Sequence, residues 1–200
     1  MSRIIAARAL SIIGHPAVLV PAAVTLSALG QDASTGTILV ALLAVLSVST
    51  SLVIYSFAQV RAGRWSHVDA SIPDERSQLN PLLALMLVAV ASALLATTQD
   101  TQVVAGLVMA AVMVMAAHLL RTWFKASLHV SFAVFSVFLV WPSTVTAAVV
   151  LALAGAISWS RLVLHRHTVL EVVAGTALGV AAGAGFRLAI TSMAGVLGDG

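Results

Sequence analysis

Apolar runs of roughly twenty residues recur along the chain, the length a helix needs to cross a hydrocarbon core of about 30 Å at 1.5 Å per residue. The stretch from Thr37 to Val60, TILVALLAVLSVSTSLVIYSFAQV, holds no charged side chain at all. These runs are continuous in Ala, Leu and Val, without the in-and-out alternation that a membrane β-strand requires. Charge is correspondingly scarce: 8% of the 200 residues are Asp, Glu, Lys or Arg, against about 25% in an ordinary soluble domain, and mean hydropathy is +1.08. The expected fold is an all-α integral membrane bundle of about six to seven transmembrane helices. Cysteine is absent, which removes disulfides, iron–sulfur clusters and thiolate zinc sites.

The apolar segments run from about Arg8 to Gly30, Thr37 to Val60, Pro81 to Ala96, Val103 to Leu120, Ser127 to Val140, Thr144 to Leu164, and Thr168 to Ser192. The first is broken by Pro16 and Pro21; its length and these prolines argue against a cleaved signal peptide ending near ALGQ. The fifth is short for a span. The last carries Ala174, Gly175, Gly179 and Gly183, small residues that let helices approach closely. One transmembrane domain, 1–200, is expected: an N-terminal helical pair over 1–60, a polar loop over 61–80, and the remaining helices over 81–192. Pro73 and Pro81 argue against a single uninterrupted helix through that loop.

Basic residues collect on alternate loops: Arg61, Arg64 and Arg76 after the second segment, Arg121 and Lys125 after the fourth, Arg161 and Arg166 after the sixth. By the positive-inside rule these loops face the cytoplasm of an inner or plasma membrane, crossed in multiple passes. All three emerge on one face, so distant stretches can converge on one site.

The stretch SRLVLHRHTVLEVVAG, Ser160 to Gly175, is the densest in chemistry. His167 and Glu171 stand four apart, so on a helix the carboxylate can take a hydrogen bond from one imidazole nitrogen and leave the other lone pair exposed. A general base or nucleophile needs that arrangement. Arg161, a short turn earlier, offers a planar fork of donors to a phosphate-like anion. Arg166 reads as a boundary charge and His165 as a neighbour of uncertain use. In KASLHVSF, Lys125, Ser127 and His129 sit at a helix start, where free N–H groups favour an anion; a capping role for Ser127 is the simpler alternative. His15 and His118 read as structural, His67 and Asp69 as solvated loop residues.

These residues resemble the type 2 phosphatidic acid phosphatase superfamily, in its membrane lipid phosphatase branch. Its third motif, S-R-x5-H-x3-D, is met by Ser160, Arg161, His167 and, with glutamate for aspartate, Glu171. Its second, P-S-G-H, survives as Ser127 and His129, with Leu128 in place of glycine. The first, K-x6-R-P, is absent, and Arg76 is the best-placed counterpart. The resemblance spans roughly Arg61 to Gly179. It implies a phosphatidic acid phosphatase/haloperoxidase-like core and hydrolysis of a lipid phosphate or polyprenyl phosphate or pyrophosphate. His167 would be the nucleophile, Glu171 its orienting carboxylate and His129 the acid. Arg76, Lys125, Ser127, Ser160 and Arg161 would hold the phosphoryl oxygens. No metal or other cofactor is implied, and the partners are a lipid phosphate and the bilayer, not nucleic acid. Two other classes compete: a metal enzyme built on His129, His165 and His167, and a non-catalytic lipid-binding or scaffold protein.

Overall fold

The computed structural model describes residues 2–30, 33–68, 70, 72–97 and 101–198, with side chains as far as residue 193. Among them there is no strand, and the helices in chain order are α1 (Ser2–Ile13), α2 (Pro16–Gly30), α3 (Thr35–Arg61), α4 (Pro73–Thr97), α5 (Thr101–Leu119), α6 (Leu128–Leu139), α7 (Thr144–Val163) and α8 (Val169–Gly198). Five of these, α3, α4, α5, α7 and α8, are long and apolar enough to cross a membrane, and the bent pair α1 and α2 would make a sixth span. Their outward faces carry large aliphatic side chains such as Leu43, Ile54, Leu85, Val145 and Leu188, each more than 60% exposed. Such a surface is untenable in water and natural against lipid tails. The architecture fits a multi-pass membrane protein.

The structure sharpens three elements of the sequence reading. The first segment is broken before Pro16, as read, and bends by 59° between α1 and α2, but it starts at Ser2 and Pro21 lies inside α2. The break falls at Gly14 and His15, because a residue before proline is pushed out of the helical region and Pro16 is preorganised to begin a new helix. α1 then packs on α7, with the Arg3 guanidinium over the Trp159 ring, while α2 packs on α3 and α6. Second, the polar loop shrinks to 62–72. Pro73 opens α4 with Asp74 and Glu75 in its first turn, where carboxylates suit the positive helix end, and Pro81 lies inside the helix. Third, the segment read as short for a span is α6, 12 residues long, which does not qualify as one.

α6 is nonetheless the centre of the bundle. Val130 through Ser136 are all buried, and the helix contacts α2, α5, α7 and α8. A helix that is apolar on nearly every side belongs in a core, and neighbours cover most of this one. Gly175, Gly179 and Gly183 form the α8 stripe against it, where added side chains would run into Ser127, Ser131 and Phe138.

Candidate functional site

The turn between α7 and α8 explains why the two neighbouring histidines differ. Arg166 N–H donates to the Arg161 carbonyl at 3.0 Å and His165 N–H to the Leu162 carbonyl at 3.0 Å, the paired bonds of a Schellman motif. His165 occupies its left-handed position, with φ of 51°, and is exposed. It turns the chain. Three residues on, Thr168 caps α8: Glu171 N–H donates to Thr168 Oγ1 at 3.3 Å and Thr168 N–H to Glu171 Oε2 at 3.3 Å, a reciprocal capping box. The same carboxylate oxygen lies 2.8 Å from His167 Nδ1.

His167 is thereby held on two sides. With Nδ1–H donating to Glu171, the lone pair sits on Nε2. The ring is only 8% exposed and lines the principal cavity. Burial pushes its pKa down from 6.5 to about 4; the Glu171 hydrogen bond works against this, and the Arg161 and Arg76 charges reinforce it. The imidazole is neutral at physiological pH, with its lone pair available.

α8 also fixes the second histidine. Ser127 N–H, just before α6, donates across to the Glu171 carbonyl at 3.0 Å. That approach is open only because residue 175 is glycine: a Cβ there would lie 2.7 Å from the Ser127 carbonyl oxygen. The two helix starts are joined, and His129, one residue into α6, opens on the same cavity as His167. Ser127 is fully buried, and its hydroxyl makes no hydrogen bond among the described residues, so the capping serine caps nothing through its side chain.

The cations are held by different means. Arg161 is 3% exposed and donates from Nη1 to Ser11 Oγ of α1 at 2.7 Å. Arg76 donates from Nε to the Ala70 carbonyl at 3.0 Å, and its neighbour Glu75, also buried, accepts from the N–H groups of Ser66 and Ile72. Glu75 thus ties Ser66 and Ile72 to the start of α4, while Arg76 lines the cavity. Lys125 stands exposed at the rim.

The cavity has a volume of about 590 Å³. Arg76, Lys125, Arg161, His129 and His167 line its polar end, together with His15. Val24, Val45, Val48, Leu83, Leu87 and Phe135 line its body, which reaches Thr37 and Gln102 near the starts of α3 and α5. A cationic head and an apolar body complement an anionic amphiphile.

Five of the eight residues singled out from the sequence thus share a cavity wall. Glu171 stands behind His167. Ser127 and Ser160 do not line the cavity; both are fully buried, and Ser160 Oγ donates to the Ile157 carbonyl at 2.7 Å. Ser11 and His15 were not foreseen as site residues. For His15 the signal was present, because an ionisable side chain inside an apolar segment is a functional candidate by default. Asp69 lies outside the described residues. Among those described, no group of three His, Asp or Glu side chains is placed to hold a metal ion, so His129, His165 and His167 do not come together as a ligand set. Comparison with known proteins gives no match to a family model, a curated protein or a solved structure.

Proposed function

We propose that the protein is a membrane-embedded phosphatase that hydrolyses a lipid phosphate, or a polyprenyl phosphate or pyrophosphate, through a phosphohistidine. The observation that carries this reading is the neutral His167, oriented by Glu171 and faced by Arg161 and Arg76, at the cationic end of an otherwise apolar cavity. His167 Nε2 attacks phosphorus, forming the P–N bond as the bond to the leaving oxygen breaks. Burial, and then the Arg161 charge, hold the His129 pKa well below 6.5 in the empty site, so it takes up a proton with the bound phosphate anion, whose charge favours the imidazolium, and gives that proton to the leaving oxygen. Glu171 stabilises the imidazolium that forms, and Arg161, Arg76 and Lys125 hold the phosphoryl oxygens as charge moves onto them. Water then attacks phosphorus as the P–N bond to His167 Nε2 breaks, His129 takes up the water's proton, and inorganic phosphate leaves with His167 neutral again. The buried Ser127 and Ser160 act by packing α6 and α7. The motif likeness to type 2 phosphatidic acid phosphatases supports the same assignment. On the positive-inside rule the site faces the cytoplasm.

Leu128 lines the cavity at the position where those phosphatases have glycine. It favours a second reading, a lipid-binding protein without turnover. Phosphate release by the purified protein from phosphatidate and a polyprenyl pyrophosphate, beside His167→Ala, separates the two. Release by the wild type, lost in the variant and retained in strong chelator, is expected. Equal release by both proteins, or release from no lipid phosphate tried, would overturn the phosphatase reading.

A further inference from the structure

The break in the N-terminal helix pair delivers an imidazole that no motif predicts. His15 occupies the cap position of α2, and its Nδ1 accepts from the Ala17 N–H at 3.2 Å. With that lone pair engaged, the neutral ring carries its proton on Nε2. The ring meets His129 edge to face, with centroids 5.1 Å apart and planes at 86°, and it lines the polar end of the cavity. α2 and α6 are tied at their other ends as well, where Ser27 Oγ donates to the Leu139 carbonyl at 2.6 Å. The two imidazoles at the helix starts are therefore held in register by both ends of the helix pair. Arg161, His167 and Arg166, all from the α7–α8 region, also act on His129.

We propose that His15 is a positioning residue for His129: its ring, packed at 86° to the His129 ring, fixes the plane in which His129 presents a proton to the leaving oxygen. The inference rests on the phosphatase reading above, in which His129 is the acid. A capping role alone does not account for the ring contact, since serine or asparagine caps a helix as well. His15 also makes the N-terminal segment part of the site, although the motif residues all lie beyond Arg61.

Two substrates separate positioning from packing. Dodecyl phosphate has a poor leaving group that needs a proton, whereas a nitrophenyl phosphate bearing a chain of the same length leaves without one. His15→Asn keeps a side-chain acceptor for Ala17 N–H, and His15→Ser is a second variant that does the same. Expected is a loss of about tenfold or more in kcat on dodecyl phosphate, part of the roughly 10²–10⁴ that a general acid contributes, with kcat on the nitrophenyl ester within about twofold of wild type. Equal losses on both substrates, or none on dodecyl phosphate, overturn the inference while leaving the phosphatase reading intact. A wild type that turns over neither removes that reading and this one with it.

Discussion

Replacing Glu171 by glutamine tests the centre of the site while sparing the fold. Glutamine serves in a capping box as glutamate does, so the start of α8, bonded to Thr168, is preserved. What disappears is the negative charge 2.8 Å from His167 Nδ1. A hydrogen bond to a charged group contributes about 1.5–3 kcal/mol, and each 1.4 kcal/mol or so is a factor of ten in rate. The Glu171 side chain is 20% exposed, so water partly screens it, and the lower half of the resulting range of about 10- to 150-fold in kcat/KM is the expected loss. The pH profile adds a second, independent sign. On the proposed mechanism activity needs neutral His167 and is expected to fall as pH drops through its pKa of about 4. Glu171 raises that pKa, both through the hydrogen bond and through its charge, so the variant's acid limb moves to lower pH even as its plateau falls. The assay is phosphate release from a lipid phosphate at pH 3 to 8, with thermal unfolding measured alongside. A plateau within about twofold of wild type, or an acid limb displaced upward, would refute the role given to this carboxylate.

Three further outcomes follow from the same geometry. Arg161→Lys keeps the charge but loses the planar fork that reaches Ser11 Oγ and a phosphoryl group together, so kcat is expected to fall by about 10²-fold, as for removal of a donor to transition-state charge; an undiminished kcat would place phosphate recognition elsewhere. Gly175→Ala puts a methyl group 2.7 Å from the Ser127 carbonyl oxygen, which should lower stability by about 1–3 kcal/mol and reduce activity as the starts of α6 and α8 separate; an unchanged melting temperature and rate would argue against that close contact. Because the chain lacks cysteine, Ser66→Cys introduces a single thiol at an exposed position in loop 62–72. A membrane-impermeant maleimide should label it only after cells are opened, and labelling of intact cells would reverse the assigned orientation.

What the sequence determined by itself was the helical class, the apolar surroundings and the local pairing of His167 with Glu171. Runs of some twenty apolar residues admit few alternatives once lipid must be faced without unpaired backbone groups. The spacing of His167 and Glu171 is a local property of one helix turn, which is why it was legible and why the 2.8 Å contact follows from it. Other features depended on neighbours far away in the chain. Nothing local in LHVSFAVFSVFL distinguishes a short span from a core helix; α2, α5, α7 and α8 closing around α6 decide it. Both His165 and His167 stand in one polar stretch, yet a Schellman turn leaves the first exposed while the bundle buries the second. His15 and Ser11 reach the site only because the helix breaks before Pro16 and α1 folds onto α7. Periodicity and spacing report what a segment does with its own backbone, whereas the meeting of His15 with His129, 114 positions apart by subtraction of their numbers, exists only in the packed bundle.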